Sequence, residues 1–109
     1  MTTTLDRPRV QLSTSLLLWL EIPNEVRKAL KCRLPKAGVF QDTGVDCLIV
    51  KVGADCPLRL LVLFPCESGI ITAEVHQMTP KGTKVVAEGA ATGDLLPELL
   101  LKWGRELGL

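Results

Sequence analysis

The sequence predicts an α+β domain: an antiparallel sheet of about five to six strands, a short helix after the first strand, and a C-terminal helix packed on the sheet. Three observations support this class: apolar runs divided by turn residues in the middle of the chain, a hairpin pattern after them, and an amphipathic helical pattern at the end. The 109 residues have the length of one domain. We predict a flexible N-terminal arm over residues 1–8 and a single domain over residues 9–109.

The first predicted element alternates between apolar and polar side chains over Val10–Ile22, which favours a strand with one buried face. The same segment also permits a short helix capped by Ser13, so two interpretations remain open. Pro23 then supplies the backbone angle that suits a helix start, and Glu25 places an acid in the first turn. A short helix is predicted near residues 23–33.

Three apolar segments predict the middle strands, at residues 39–40, Val45–Val52 and Leu58–Phe64. Turn residues separate them at Asp42–Gly44 and at Gly53–Asp55. The two longer segments are apolar at nearly every position, which indicates that both faces of these strands are covered.

The next feature is a hairpin that joins Ile70–Met78 to Thr83–Thr92. A three-residue loop at 80–82 fits the turn, because its proline opens a type I turn and its glycine suits the left-handed position. This loop pairs Val75 with Ala87. It also brings the apolar residues to one face, namely Ile71, Ala73, Val75, Val85, Ala87 and Ala91.

The C-terminal segment predicts an amphipathic helix that Asp94 caps, with Pro97 in its first turn. We expect this helix to cover the open face of the sheet. Its apolar stripe consists of Leu96, Leu99, Leu100, Trp103 and Leu107.

The amount of leucine indicates an interaction with another chain. Leucine accounts for 20 of the 109 residues. Five large side chains are left over once one core face has been filled, namely Leu17, Trp19, Leu61, Leu63 and Leu101. A small domain that leaves such side chains uncovered normally covers them with another protein. We therefore predict a non-catalytic protein-interaction domain, a homo-oligomer or a subunit of a larger assembly, with Leu17, Trp19 and Leu101 in the contact.

Basic side chains concentrate near the start of the chain. Residues 1–36 contain seven basic and three acidic side chains, and residues 37–109 contain six and nine. Four of these basic side chains lie in the predicted helix and are suited to bind nucleic-acid phosphates, namely Arg27, Lys28, Lys31 and Arg33. The alternative is that they form an ordinary solvated helix face. The stretch Ile22–Leu30 (I-P-N-E-V-R-K-A-L) resembles the I-P-x-E-x-R-x-x-L motif of AbrB-type swapped-hairpin DNA-binding domains. This resemblance implies a dimeric DNA-binding regulator in which Arg27 contacts DNA.

A third class of function follows from Asp42-Thr43-Gly44-Val45, which is similar to the D-T-G-A turn of retroviral-type aspartic proteases. That chemistry needs two aspartates that share one proton, so the resemblance implies a symmetric dimer with Asp42 supplied by each chain. D-T-G is also ordinary turn chemistry, and a plain hairpin turn is the alternative. The protease ranks third, after the interaction domain and the DNA-binding regulator.

Few other residues offer catalytic or metal-binding chemistry. His76 shares a sheet face with Glu74 and Glu88, which offers metal ligands but is also an ordinary polar face. No two cysteines form a C-x-x-C pair, so we expect four free thiols, at Cys32, Cys47, Cys56 and Cys66. No cofactor, phosphate-binding loop, membrane span or secretory signal is predicted. We therefore expect a cytoplasmic protein without catalytic activity.

Overall fold

The computed structural model describes residues 19, 22–40, 45–54, 57–65 and 69–109. The arm predicted at residues 1–8 lies outside these ranges. The elements described in full are, in chain order, α1 (Asn24–Ala29), β1 (Lys36–Phe40), β2 (Val45–Val52), β3 (Arg59–Pro65), β4 (Ile70–Thr79), β5 (Gly82–Thr92) and α2 (Leu96–Leu107). The α+β class and the C-terminal helix are confirmed.

The strands form one antiparallel sheet in which each strand pairs with its neighbour in sequence, in the order β1-β2-β3-β4-β5. The short β1 lies at one edge of this sheet and the eleven-residue β5 lies at the other. The antiparallel sheet agrees with the prediction. Within the described ranges, no helix has the length and hydropathy that crossing a membrane requires.

Most of the strand predicted over Val10–Ile22 lies outside the described residues. Trp19 is described and is helical, and the Ile22 amide donates to the Trp19 carbonyl oxygen at 3.2 Å. The strand interpretation is therefore wrong at this position, and the helical alternative fits it. α1 follows in its predicted place but ends at Ala29, because Lys31 adopts a left-handed φ of 53° that turns the chain out of the helix.

The hydrophobic core lies between the helices and one face of the sheet. Alternate residues of three strands are buried in it, namely Leu48, Val50, Val52, Leu61, Leu63, Ile71, Ala73 and Val75. The prediction that Leu61 and Leu63 are left over from the core is wrong, because both lie on the core face of β3 and are fully buried. The helices contribute Val26, Leu96, Leu100 and Trp103, and the residue directly after α1 contributes Leu30. Each large side chain buried in this way stabilises the fold by about 1.5–3 kcal/mol. The prediction that the C-terminal helix covers the sheet is confirmed.

The β4–β5 hairpin follows the predicted register at its open end and departs from it near the turn. Val75 pairs with Ala87 as predicted, but His76 pairs with Val85, so Val86 is the extra residue of a β-bulge. Val85 consequently leaves the core face and is 45% exposed. The prediction that Val85 shares the core face is wrong.

The turn itself explains this departure. Thr79 pairs with Gly82, which leaves a two-residue turn in place of the predicted three-residue loop. The Thr79 hydroxyl donates to the Gly82 carbonyl oxygen at 2.8 Å, and Gly82 has a φ of 128°. A register shift of one residue moves every side chain to the other face. The bulge confines that shift to the end of the hairpin nearest the turn.

Candidate interaction surface

Trp19 and Arg27 form a stacked pair beside α1. The guanidinium carbon of Arg27 lies 4.5 Å from the centroid of the Trp19 ring, and Nη2 of Arg27 donates to the Trp19 carbonyl oxygen. The Nε atom of Arg27 is buried and, within the described part of the chain, has no hydrogen-bond partner. This arrangement ties the helical segment at Trp19 to α1.

Cys32 lies next to this pair, and its amide donates to the Arg27 carbonyl oxygen at 2.9 Å. Burial raises the pKa of the Cys32 thiol from 9.0 to about 11, and the nearby Arg27 charge partly opposes that rise. The thiol is therefore protonated at neutral pH and is a poor nucleophile. Cys47 is fully buried, whereas Cys56 and Cys66 lie outside the described residues.

The residues predicted to contact a partner have mainly intramolecular contacts where they are described. Trp19 and Leu101 are half-buried and pack against the hydrophobic core. Leu17 lies outside the described ranges. A role in an intermolecular contact stays a prediction for all three residues.

The four predicted phosphate-binding residues separate into two groups. Arg27 is half-buried against Trp19, whereas Lys28, Lys31 and Arg33 are exposed. The Arg33 amide donates to the Lys51 carbonyl oxygen at 3.0 Å, which joins the segment after α1 to β2. The exposed Lys51 lies between the core residues Val50 and Val52, so its side chain projects from the sheet face opposite α1.

The outer edge of β5 is a surface that sequence reasoning missed. β5 lies at the end of the strand order, and the strand that pairs with it in the described sheet is β4. An edge strand presents a row of unpaired N–H and C=O groups, which can bind a further strand through the hydrogen bonds that hold a sheet together.

α2 covers one face of β5 without occupying the plane of the sheet. A Cβ atom placed on Gly89 would lie 3.4 Å from Cζ2 of Trp103 and 3.5 Å from Cδ2 of Leu99. The helix therefore touches the strand at a residue that has no side chain. A strand added at the edge would lie beside β5, not beneath α2.

The two halves of β5 differ in the features that protect edge strands from pairing. Lys84 and the bulge at Val86 lie in the first half, and lysines and bulges both hinder strand addition. The second half, which we call the open segment (Ala87–Thr92), contains one charge, Glu88, and neither proline nor bulge. Its six residues are all exposed or half-exposed.

On the sheet face opposite the core, the three residues considered as metal ligands are close together. Glu74 pairs directly with Glu88, and Nε2 of His76 lies 2.8 Å from Oε1 of Glu74. The Glu74 carboxylate therefore has the His76 ring as a hydrogen-bond partner on this face. In the described ranges no group of three His, Cys, Asp or Glu side chains has the geometry to hold a metal ion.

The remaining candidates offer no site that can be described. Asp42, Thr43 and Gly44 lie outside the described residues, so the protease hypothesis stays untested. In the core, the gap lined by residues that include Leu61, Leu100 and Trp103 is too small for a water molecule.

Comparison with known proteins finds no family model, no curated protein and no solved structure that matches this chain.

Proposed function

We propose that this chain is a small protein-interaction domain, a homo-oligomer or a subunit of a larger assembly, and that it docks through the open segment of β5. The position of this segment at the unpaired edge of the described sheet is the observation that carries the proposal. A strand added there continues the sheet, and main-chain hydrogen bonds supply the affinity. A cytoplasmic location and the absence of catalysis remain predictions.

Main-chain hydrogen bonds alone do not offset the cost of association, so side chains must also contribute to the affinity. About six main-chain hydrogen bonds at about 0.5–1.5 kcal/mol each supply roughly 3–9 kcal/mol, whereas association costs about 4–15 kcal/mol. Apolar side chains near both ends of β5 are available for this contribution. Ile70, which pairs with Thr92, is 41% exposed, Val85 is 45% exposed and Leu95 is 52% exposed.

A photo-crosslinking amino acid placed at Ala90 in the cell tests the proposal, because Ala90 is exposed within the open segment. We expect a crosslinked product that contains a second protein chain, and its mass identifies that chain as another copy or a different protein. The same amino acid at Lys51 is the matched control, since Lys51 is an exposed residue of a central strand. Equal crosslinking at the two positions would contradict the proposal.

Two proline variants, Ala91→Pro and Thr92→Pro, each combined with the crosslinking amino acid at Ala90, show whether the crosslink depends on the strand edge. In an antiparallel edge strand the amides point alternately to the neighbouring strand and outward. One variant therefore breaks a hydrogen bond to β4 and destabilises the fold, and the other removes an outward donor only. The variant that keeps the wild-type circular dichroism spectrum should lose the crosslink, and a folded variant that keeps it would contradict edge docking.

A DNA-binding regulator is the second candidate, and the exposed basic side chains in and after α1 support it. These are Lys28, Lys31 and Arg33. Duplex DNA titrated at several salt concentrations should show a steep salt dependence, since each phosphate contact contributes a slope of about −0.9 in log affinity against log salt. The double variant Lys28→Gln, Lys31→Gln should reduce that slope by about 2. An unchanged slope would exclude both lysines from the contact.

The aspartic protease is the third candidate and rests on the sequence alone. If Asp42 shares a proton with a second copy, Asp42→Asn abolishes peptide cleavage at acidic pH. A parent protein that cleaves nothing under these conditions already excludes this function.

A further inference from the structure

We infer that residues 10–18 of this chain cover the sheet face opposite the helices. We call this face the outer face, and its side chains near the centre of the sheet are Cys47, Ile49, Leu60, Val62, Phe64 and His76. This intramolecular contact is separate from the edge of β5 and goes beyond the proposed function. Three observations carry it, namely the burial of the outer face, the position of the helices and the length of chain that precedes Trp19.

The centre of the outer face is as well buried as the core. Cys47 on β2 is 0% exposed, Val62 on the central strand β3 is 2% exposed, and His76 on β4 is 9% exposed. The larger apolar side chains around them are half-buried, namely Ile49, Leu60 and Phe64. Side chains of a sheet stand perpendicular to its plane, so neighbouring strands shield their flanks and leave their tips accessible. Another layer of the protein therefore covers these tips.

The described helices do not form this layer. Val26 of α1 and Leu100 of α2 both pack in the core, on the other face of the sheet. The layer does not reach β5, because Glu88 and Ala90 lie on the outer face and are exposed. The covering layer therefore lies over β2, β3 and the adjoining part of β4.

The covering residues belong to the same chain and lie outside the described ranges. The exposed fractions are those of a single chain, so a partner does not cause them. Apart from residues 1–18, the residues outside the described ranges occur in stretches of two to four. A turn of four residues spans at most about 14 Å in total, and because both its ends are fixed to the sheet it reaches out by about half of that length. Val62 lies three residues inside β3, about 10 Å from the end of the strand, so such a turn does not cover it.

Residues 10–18 have the length and the composition that the outer face requires. Nine extended residues reach about 30 Å, whereas crossing from β2 to β4 takes about 10 Å and passing the thickness of the sheet takes about another 10 Å. Five of the nine are apolar, namely Val10, Leu12, Leu16, Leu17 and Leu18. The following residue, Trp19, packs against the core and anchors the segment, which makes its contact with the outer face intramolecular. Both faces of β2 and β3 are then covered, as their nearly continuous apolar sequences indicate.

The reactivity of the Cys47 thiol tests this contact, because Cys47 is fully buried on the outer face. A chain with Cys32→Ala, Cys56→Ser and Cys66→Ser retains this thiol alone, and the rate at which Ellman's reagent modifies the folded chain measures its accessibility. Val10→Asp combined with Leu12→Asp should raise that rate at least about tenfold, because two charged side chains are strongly disfavoured on an apolar face.

Two controls make the result specific to the outer face. Gln11→Asp combined with Ser13→Asp adds the same charges at neighbouring polar positions and should change the rate less than about twofold. The second control moves the thiol to the core face of β2, through Val50→Cys combined with Cys47→Ala. The rate at this position should not rise when the two apolar substitutions are added.

A rise that is specific to Cys47 and to the two apolar substitutions supports the contact. The same rate in both aspartate variants overturns it. An equal rise at the two thiol positions also overturns it, because the segment then stabilises the core instead. Protection of Cys47 that weakens when the parent chain is diluted overturns it as well, since a second copy would then supply the cover. None of these results depends on the crosslinking at Ala90.

Discussion

Replacement of Arg27 by methionine should destabilise the fold, because Arg27 links Trp19 to α1. Methionine keeps most of the length of the side chain and removes the guanidinium. The variant therefore loses the contact of the guanidinium with the Trp19 ring at 4.5 Å and the hydrogen bond to the Trp19 carbonyl oxygen. The apolar packing of the side-chain stem is largely retained.

The expected loss is the difference between two opposing contributions. A hydrogen bond from a charged donor stabilises by about 1.5–3 kcal/mol, and the cation–π contact adds about 0.5–2 kcal/mol. Removal of the buried, unpartnered Nε atom returns about 1–3 kcal/mol. We expect the free energy of unfolding to fall by about 1–2 kcal/mol, which lowers the Tm by roughly 4–8 °C for a domain of this size.

Urea unfolding of a double-mutant cycle measures the ring contact on its own. Arg27→Met and Trp19→Ala are made singly and together, and the hydrogen bond to the main-chain oxygen persists in Trp19→Ala. The coupling energy then reports the stacking alone and should be about 0.5–1.5 kcal/mol. Lys28→Met, at the exposed neighbouring position, should change the stability by less than about 0.5 kcal/mol. A coupling energy of zero within error would refute the stacked arrangement.

Three further predictions concern the stability of the fold. Gly53→Ala should lower the free energy of unfolding by about 1–2 kcal/mol in urea, since Gly53 has a φ of 70° and the new Cβ would lie 3.1 Å from Leu109. Because the unfolded Cys32 thiol ionises at pH 9.0 and the folded one at about 11, stability should be full below pH 9 and fall as the pH rises to 11. The free energy of unfolding of the Cys32→Ala variant, measured over the same pH range, should not show the fall that Cys32 causes. Leu100→Ala, at a fully buried site, should lower the free energy of unfolding by about 2.7–5 kcal/mol. Leu34→Ala, at a residue that is 90% exposed, should leave that free energy nearly unchanged in the same urea measurement.

The hairpin shows where sequence reasoning succeeds and where it stops. From Ile70 to Val75 the register is predictable, because apolar alternation and burial select the same face. Near the turn, a two-residue and a three-residue loop differ by one residue and by little energy. A bulge absorbs that difference at a position the pattern does not mark, so the placement of Val85 was not predictable.

Two features of the surface depend on contacts between distant parts of the chain. The sequence assigns Arg27 to a basic helix face that is solvated or binds phosphates, because no local pattern places Trp19 beside it. The open edge of β5 depends on the order of all five strands, which local turn and hydropathy signals do not fix. The open segment, with mostly small residues and one charge, was the sequence signal available for this edge.

The small residues of the open segment serve the packing of α2 and, as a consequence, leave the edge accessible. Leu99 and Trp103 lie against Gly89, so a large side chain there would push the helix off the sheet. The long side chains that screen edge strands in other proteins are therefore excluded on the core face. They are permitted on the opposite face, where Ala90 and Thr92 are exposed. Substitutions at Ala90 can thus change binding and leave the fold intact, whereas a large side chain at Gly89 would disturb both.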